Sequence, residues 1–278
     1  MKEAISTVAG LPAPEPAYGT YALKGLSHRM SRWAQRQPDT WLGKRWAYLL
    51  RKLVLKSNGK IVDGDLWGLK VRWYPTDNIT DREAFFLSRA WDPEERAFQA
   101  KNLPEDGVFL DVGANSGLYT LLALQKLSEQ GTVIALEPNP EMFSRMATNV
   151  GLNAPKAQVR LFNVGVAEKS GSFTLNVKGT NLGGASLMDR PAEFGQVTVE
   201  CHPLEAILNQ AGVDRVDFMK IDVEGYEATA LNPFFATAPR SLWPKFVNIE
   251  SPEGIDWEGL GYEVVLKTRL NTMYGLKE

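Results

Sequence analysis

VFLDVGANSG, residues 108–117, places an apolar segment directly before a turn that contains Gly113 and Gly117. The following stretch, 118–127, has the apolar spacing of an amphipathic helix. Glycine residues at a strand-to-helix turn let the backbone approach a ligand closely, because no Cβ atom is in the way. The segment therefore predicts a strand–turn–helix unit with a ligand at the turn.

A second apolar segment, TVIAL at 132–136, ends directly before Glu137. If both segments are neighbouring parallel strands, Glu137 lies at the same sheet edge as the glycine turn. An acidic residue after the second strand is the usual partner of two ribose hydroxyls. The two segments together predict a site for an adenosine-containing ligand.

The residues of the turn distinguish between the possible ligands. A dinucleotide site needs G-x-G-x-x-G, whose middle glycine lets the pyrophosphate reach the helix N-terminus. Here the turn is G-A-N-S-G, with Asn115 in the middle. Asp111 precedes the turn, where its charge disfavours a pyrophosphate and suits the ammonium group of a methionine moiety. The pattern favours S-adenosylmethionine over NAD.

Four sequence blocks, in this order, resemble the FkbM-type family of S-adenosylmethionine-dependent methyltransferases: DVGANSGLYT, EPNP, NVGVA and KIDVEGYE. They lie between about Gly107 and Glu250, which is roughly half of the chain. The resemblance implies a Rossmann-like class I methyltransferase fold and methylation of hydroxyl oxygens on sugars, polyketides and related metabolites. The chain departs from the family pattern at Leu204-Glu205, where relatives have Leu-Asp, and at Ser251-Pro252, where they often have a histidine.

Alternation of strands and helices predicts an α/β, doubly wound, mostly parallel sheet. The predicted strands lie near 108–112, 132–137, 158–163, 216–221 and 245–250, and the predicted helices near 117–128, 140–150, 203–211 and 225–231. Asn232-Pro-Phe-Phe235 only superficially resembles a DNA-base methylation motif, because such a motif would follow the fourth strand directly. Asn232-Pro233 is therefore interpreted as a helix stop.

The candidate site residues share one property: they follow the carboxyl ends of predicted parallel strands, where ligands collect. The predicted cofactor-binding residues are Asp111, Gly113, Ala114, Asn115, Gly117, Tyr119, Thr120, Glu137, Pro138, Asn139, Asn163, Val164, Gly165 and Asp222. Methyl transfer to an alcohol also needs a proton acceptor. We predict Asp222 as the base or donor-orienting residue, with Glu224 as the alternative and Lys220 as a weaker candidate.

The same carboxylates leave a second mechanism open. Asp222, Glu224 and Glu250 are hard oxygen ligands that could hold magnesium or calcium, although our prediction contains no metal. Acidic residues after a strand are also common helix caps, which is the structural interpretation of Glu224 and Glu227. One cysteine and two histidines cannot form a thiolate zinc site.

The remaining chain is divided into three parts. Residues 1–19 are predicted to be a flexible arm, residues 20–103 an N-terminal helical and β extension, and residues 104–278 the methyltransferase domain. The extension is predicted to contain helices at 21–37, 39–56 and 81–101, a strand at 66–74, and turns at Asn58-Gly59 and Asp63-Gly64. Within the domain, strands at 172–177 and 196–200 around the glycine-rich loop 179–186 predict a small β insertion. This loop is equally well interpreted as a substrate loop or as a plain connection.

Composition excludes several classes of protein. The chain has 278 residues, a net charge of −2 and one cysteine, which is typical of an ordinary globular protein without disulfides. No run of 18 apolar residues and no signal peptide are recognised, so a cytoplasmic protein is expected. The net charge favours no nucleic-acid partner, and the expected partner is a small-molecule hydroxyl acceptor.

Residues 20–62 contain ten Lys or Arg, one acid (Asp39), and the tryptophans Trp33, Trp41 and Trp46. Such a segment could bind a membrane surface or another anionic partner through residues 20–60. We favour the interpretation that its aromatic face packs on the core. Two functional alternatives to the methyltransferase stay open: an NAD- or nucleotide-sugar-dependent oxidoreductase, and a non-catalytic cofactor-binding scaffold recruited through these helices.

Overall fold

The computed structural model describes residues 5–7, 16–57, 60–178, 181–187 and 195–277. Eight strands form the central sheet: β1 Ile5–Thr7, β4 Val108–Val112, β5 Thr132–Leu136, β6 Gln158–Phe162, β11 Phe218–Ile221, β12 Phe246–Ile249, β13 Tyr262–Lys267 and β14 Thr272–Leu276. Their spatial order is β1-β6-β5-β4-β11-β12-β14-β13.

The middle five strands, β6 to β12 in this order, are parallel, and β1 and β14 are antiparallel to their neighbours. Every residue of β4 and β5 is buried, which explains why both are nearly continuous apolar segments. The chain builds the sheet from β4 through β5 to β6, and then resumes on the other side of β4 with β11 and β12. The strand order thus reverses between β4 and β11, where open α/β sheets bind their ligands.

Helices cover both faces of the sheet: α1 Gly25–Gln35, α2 Trp41–Ser57, α3 Ile79–Phe86, α4 Pro93–Asn102, α5 Leu118–Lys126, α6 Pro140–Leu152, α7 Leu204–Ala211 and α8 Glu227–Thr237. The N-terminal helices share one hydrophobic core with α5, α6 and one face of the sheet. The helices α7 and α8 pack on the other face. The doubly wound α/β fold predicted from the sequence is confirmed.

Two smaller sheets complete the fold. The first contains β7 Gly165–Val166, β8 Gly171–Lys178, β9 Asn181–Ser186 and β10 Gly195–His202 in the order β7-β10-β8-β9. It is the small β insertion, although the segment predicted as a glycine-rich loop forms β9 and pairs with β8. The second is the hairpin of β2 Val62–Leu66 and β3 Leu69–Trp73.

Parts of three predictions fall outside the described residues: most of the N-terminal arm, the Asn58-Gly59 turn, and residues 179–180 and 188–194 of the insertion. Residues 5–7, predicted to belong to the flexible arm, form the edge strand β1 on β6. The division of the chain into an arm, an extension and a domain stays a prediction.

The single helix predicted over 81–101 is wrong, because the structure has α3 and α4 there. Asp92 has a left-handed backbone (φ 41°) and Pro93 begins α4. A proline disfavours the α conformation of the residue before it, so the Asp92-Pro93 pair separates the two helices.

Asn232-Pro233 does not stop a helix, since α8 continues to Thr237 with Pro233 inside it. A proline inside a helix costs about 3 kcal/mol. Leu231, Phe234 and Phe235 are buried in the core on the same helix, and their burial offsets that cost.

Asp63-Gly64 is not a turn but lies within β2, and the hairpin turn is at Trp67-Gly68, where both residues have positive φ. The Asp63 carboxylate is buried and pairs with Arg72 at 2.8 Å. Paired in this way, the Asp-Gly dipeptide fits inside a strand.

The aromatic face of α1 and α2 does not pack on the core. Their buried face is formed by smaller residues, Ala34 on α1 and Ala47, Leu50 and Val54 on α2. The three tryptophans are 53% (Trp33), 72% (Trp41) and 45% (Trp46) exposed. The favoured interpretation of this segment is therefore wrong for its aromatic residues.

Candidate active site

The glycine turn lies at the position where the strand order reverses. Gly113 has φ 79°, and a Cβ atom there would lie 2.0 Å from the backbone oxygen of Asp222. The amides of Gly113 and Ala114 both donate to the carbonyl oxygen of Leu136 at 2.9 Å. Gly113 thus allows the ends of β4 and β11 to approach each other, and the glycine serves this backbone contact as well as any ligand.

Glu137 is buried at the end of β5. Its two carboxylate oxygens accept hydrogen bonds from the amides of Asn115 (2.7 Å) and Asn139 (2.8 Å). Burial raises the pKa of Glu137 to about 7, and these two hydrogen bonds oppose the rise. The carboxylate therefore faces the glycine turn and not the solvent.

Asp111 is buried on β4 and accepts a hydrogen bond from the Thr120 hydroxyl at 2.6 Å. Burial raises the pKa of Asp111 to about 6, and the hydrogen bond and Lys220 oppose the rise. Lys220 on β11 is the register partner of Asp111, and Asn248 on β12 is the register partner of Lys220. A row of polar side chains therefore crosses three otherwise apolar strands.

Lys220 is only 4% exposed. Its Nζ atom lies 3.6 Å from Oδ2 of Asp222 and donates to Oδ1 of Asn271 at 3.2 Å. Lys220 therefore pairs with Asp222, two residues further along the chain. On the other side of Asp222, burial and the Asp222 carboxylate raise the pKa of Glu250. The site combines one buried cation with a pair of interacting carboxyl groups.

Backbone strain is concentrated around this site. Asp92 (φ 41°), Asn115 (φ 55°) and Glu224 (φ 54°) have left-handed backbones, and all three line the same cavity. Non-glycine residues in this region cost about 1–3 kcal/mol each and cluster at functional sites. The strain supports a functional interpretation of the cavity.

Two cavities meet at the turn. The larger, about 440 Å³, is lined on one side by Asp111, Asp222 and Glu250 and on the other by the N-terminal helices. The smaller, about 40 Å³, lies between Glu137, Pro138, Val164 and Gly165 and is mostly apolar. Their linings share Gly113, Gly183, Asp222 and Glu224.

Most predicted site residues line these cavities: Asp111, Gly113, Ala114, Asn115, Tyr119, Glu137, Pro138, Val164, Gly165, Lys220, Asp222 and Glu224. Four others support the lining residues from behind. Gly117 lies against Met146, Thr120 bonds to Asp111, Asn139 caps α6, and Asn163 donates to the carbonyl oxygens of Glu137 and Pro138. Their role as cofactor ligands stays a prediction.

A family model matches the part of the chain that contains most of these residues. The model of the "Methyltransferase FkbM domain" matches residues 111–253, from Asp111 at the glycine turn to the segment after β12. The chain belongs to the FkbM methyltransferase family. The resemblance stated from the sequence is confirmed, and S-adenosylmethionine is the expected cofactor of this FkbM methyltransferase.

Individual relatives match more distantly. The chain is 28% identical over 152 residues to hexuronic acid methyltransferase AglP of Haloferax volcanii, covering 55% of this chain and 59% of AglP. It is 26% identical over 166 residues to 2-O-methyltransferase NoeI of Sinorhizobium fredii, covering 54% of this chain and 67% of NoeI. Among solved structures, a methyltransferase from Pyrococcus furiosus is 14% identical, with a TM-score of 0.42, covering 84% of this chain and 98% of the other. The match thus spans about three fifths to two thirds of these two curated relatives.

Sequence reasoning missed the residues of the N-terminal extension that hold the turn of this FkbM methyltransferase. Asn78 donates to the side chain of Asn115 at 2.7 Å, and the Asp81 carboxylate accepts from the Ser116 hydroxyl at 2.5 Å. Asn78 also caps α3 by accepting from the amide of Asp81. The Asn-x-x-Asp pattern of a helix cap was the available signal, but it gives no indication of the contact with the turn.

The acidic residues that the structure describes do not form a metal site. Within the described ranges, no group of three or more His, Cys, Asp or Glu side chains is arranged so that it could hold a metal ion. Glu227, the other residue with a capping interpretation, is the first residue of α8 and does not cap it; its buried side chain accepts from the amide of Val223 in the preceding loop at 3.1 Å.

The buried carboxyl groups predict that the protein loses stability as pH rises. Burial raises the pKa of Asp81 from 3.8 to about 6, so the folded state binds this proton more tightly than the unfolded state. The contribution of this proton to the free energy of unfolding is complete below about pH 4 and is lost as pH rises through about 6. For Asp81 it amounts to about 3 kcal/mol.

Urea unfolding between pH 4 and pH 7 measures this effect. The Asp81→Asn variant should show a decline in unfolding free energy that is smaller than the wild-type decline by about 3 kcal/mol. Equal declines in the two proteins would show that Asp81 is ionised at no cost in the folded state.

Proposed function

We propose that this protein is an S-adenosylmethionine-dependent methyltransferase that methylates a hydroxyl group on a sugar-like or polyketide-like acceptor. The observation that supports the proposal most is the position of Glu137, Asp111 and Asp222. The three residues lie at the carboxyl ends of the adjacent strands β5, β4 and β11, where the strand order reverses. All three line the two adjoining cavities. They provide carboxylates for a ligand that has a ribose at one end and positive charges at the other.

The residues present fit S-adenosylmethionine better than a dinucleotide. Glu137 would hold the ribose hydroxyls, Pro138, Val164 and Gly165 would flank the adenine, and Asp111 would face the cationic part. The place that a dinucleotide site leaves open for its pyrophosphate is filled here. The Asn115 side chain lies there, hydrogen-bonded to Asn78 and 3.5 Å from the carbonyl oxygen of Gly183.

When bound, the cofactor supplies an electrophilic methyl group, and the chain must position the acceptor and take its proton. We propose Asp222 as the proton acceptor. The Nζ atom of Lys220 lies 3.6 Å from the Asp222 carboxylate and pairs with it. Glu250, whose pKa is raised beside Asp222, is placed to share the proton. Glu224 lines both cavities and is the alternative base.

The acceptor would bind in the larger cavity. Its lining outside the sheet edge comes from Lys44 and Tyr48 of α2, from α3 and the 87–92 segment after it, from β9, and from the 269–271 segment. Polar and charged groups such as Lys44, Glu83 and Arg269 alternate with apolar ones in this lining, which suits an acceptor with several hydroxyl groups. The name of AglP, a hexuronic acid methyltransferase, agrees with a saccharide acceptor, and the name of NoeI, a 2-O-methyltransferase, agrees with methylation of an oxygen atom.

Methyl-labelled S-adenosylmethionine tests the proposal directly. The protein is incubated with a panel of hexuronic acids, neutral oligosaccharides and hydroxylated polyketides, and the label is followed into product. An ether-linked methyl group resists mild alkali, whereas a methyl ester is released by it, so the product identifies oxygen methylation of a hydroxyl. Label only on nitrogen or carboxyl groups would contradict hydroxyl methylation, and tight NADH binding with no affinity for S-adenosylmethionine would favour the oxidoreductase.

With the acceptor found in that screen, Asp222→Asn should lower kcat by about 100-fold or more, because general base catalysis contributes about 10²–10⁴-fold. The affinity for S-adenosylmethionine should fall by a smaller factor than kcat, because Asp111 and Glu137 still face the cofactor. The control is Glu253→Gln, an exposed carboxylate close in sequence to β12, which should leave kcat unchanged. If Glu224→Gln lowers kcat more than Asp222→Asn does, Glu224 is the base.

A further inference from the structure

The outward face of α2 has an unusual composition. Four large apolar residues at positions i, i+4, i+7 and i+11 form an exposed row along the helix, which we call the α2 stripe: Leu42, Trp46, Leu49 and Leu53. Each is at least 45% exposed. This spacing places them on one side of the helix, separate from the buried side of Ala47, Leu50 and Val54.

The helix α1 extends the same surface. Trp33 stacks on Trp46 with ring centroids 6.2 Å apart, and Leu26, two turns before Trp33, is 71% exposed. The apolar area therefore crosses from one helix to the next. Contiguous exposed apolar residues on a folded protein mark an interaction surface.

Positive charge borders the apolar area. Neither α1 nor α2 contains an acidic residue. Arg45, Lys52 and Lys56 lie along one side of the α2 stripe, and Arg29 lies beside Leu26 and Trp33. Elsewhere on α2, Lys44 pairs with Asp39 and Arg51 pairs with Glu83. The four bordering cations have no carboxylate within salt-bridge distance in the described part of the chain.

We propose that α1 and α2 bind the surface of an anionic lipid bilayer. Tryptophan and leucine side chains at the centre of the surface suit the boundary between headgroups and acyl chains, and the bordering Lys and Arg suit anionic headgroups. A second copy of this chain is a poorer occupant, because the unpaired cations of both copies would face each other. Among the described residues no helix is long and apolar enough to cross a membrane, so the helices lie on the surface of the bilayer.

The helix α2 also lines the larger cavity through Lys44 and Tyr48. Binding at a bilayer would therefore place the cavity close to acceptors carried on the membrane. This consequence rests on the proposed function, whereas the binding itself does not.

Sedimentation with vesicles tests the proposal on the full chain. We expect at least tenfold tighter binding to phosphatidylcholine vesicles that contain about one third phosphatidylglycerol than to phosphatidylcholine alone, with a loss of binding as salt is raised. The triple variant Leu42→Ser/Leu49→Ser/Leu53→Ser and the charge variant Arg45→Glu/Lys52→Glu should each weaken binding at least tenfold. The control is Val264→Ser/Val265→Ser, which removes an exposed apolar pair on β13 and should leave binding unchanged.

The substituted residues are exposed, so the melting temperature of each variant should stay close to that of the wild type, and the affinity for S-adenosylmethionine should be kept. Absence of vesicle binding by the wild type would overturn the proposal. So would equal binding to both lipid compositions, or equal losses in the control and the stripe variants. A wild-type dimer in sedimentation velocity that the triple variant converts to a monomer, without vesicle binding by either, would assign the surface to a second copy instead.

Discussion

Gly113→Ala is expected to destabilise the protein by at least about 3 kcal/mol and to abolish S-adenosylmethionine binding. Two effects combine at this position. An alanine at φ 79° is strained, and its Cβ atom would lie 2.0 Å from the backbone oxygen of Asp222. Because that atom belongs to the backbone, the ends of β4 and β11 must move apart to admit the methyl group. Urea unfolding followed by circular dichroism measures the loss.

The matched control for Gly113→Ala is Gly212→Ala. Gly212 has φ 67° at the end of α7, and a Cβ atom there would meet nothing within 4 Å. It therefore isolates the backbone strain, which costs about 1–2 kcal/mol, and it should leave cofactor binding intact. If the two variants lose the same stability and both bind the cofactor, the close approach of β4 and β11 is not what Gly113 provides.

Glu137→Gln is expected to weaken S-adenosylmethionine binding by about 150-fold or more. The charged carboxylate would accept two hydrogen bonds from the ribose hydroxyls, and hydrogen bonds to charged groups contribute about 1.5–3 kcal/mol each. The wild-type affinity should also fall as pH drops below about 7, because the pKa of Glu137 is raised to about 7. The cofactor affinity of the variant should depend less on pH, since of Glu137 and Asp111 only Asp111 can still titrate. Isothermal titration calorimetry at several pH values measures both effects.

Glu141→Gln is the control for this substitution. Glu141 lies four residues further on, at the start of α6, is largely exposed and pairs with Arg145, and it lines neither cavity. Its loss should change cofactor affinity less than threefold. An affinity of Glu137→Gln within threefold of the wild type would mean that Glu137 only holds the amides of Asn115 and Asn139 and has no ribose to bind.

Local sequence pattern is sufficient to predict the central strands and the residues at their ends. The strands β4 and β5 are buried on both faces, so their apolar segments are continuous and end at recognisable residues. Asp111, Glu137 and Asp222 can be grouped from the sequence because parallel strands bring their carboxyl ends to one edge. Their convergence on two adjoining cavities follows from the topology of the sheet.

Contacts between distant segments are not predictable in this way. Asn78 and Asp81 hold the glycine turn across 37 and 35 residues of sequence, and no local pattern shows which turn they reach. Packing overrides local preference at Pro233, where buried phenylalanines keep the helix continuous. The exposed tryptophans of α1 and α2 show the same limit, since periodicity places residues on one side of a helix without indicating which side faces the core.

A crystal structure with S-adenosylhomocysteine tests the central claim most directly. The account predicts the ribose hydroxyls within hydrogen-bond distance of Glu137, the adenine beside Pro138, Val164 and Gly165, and the amino group of the amino-acid portion on the side of Asp111. Ligand density elsewhere on the protein, with Glu137 still bonded only to the amides of Asn115 and Asn139, would contradict it.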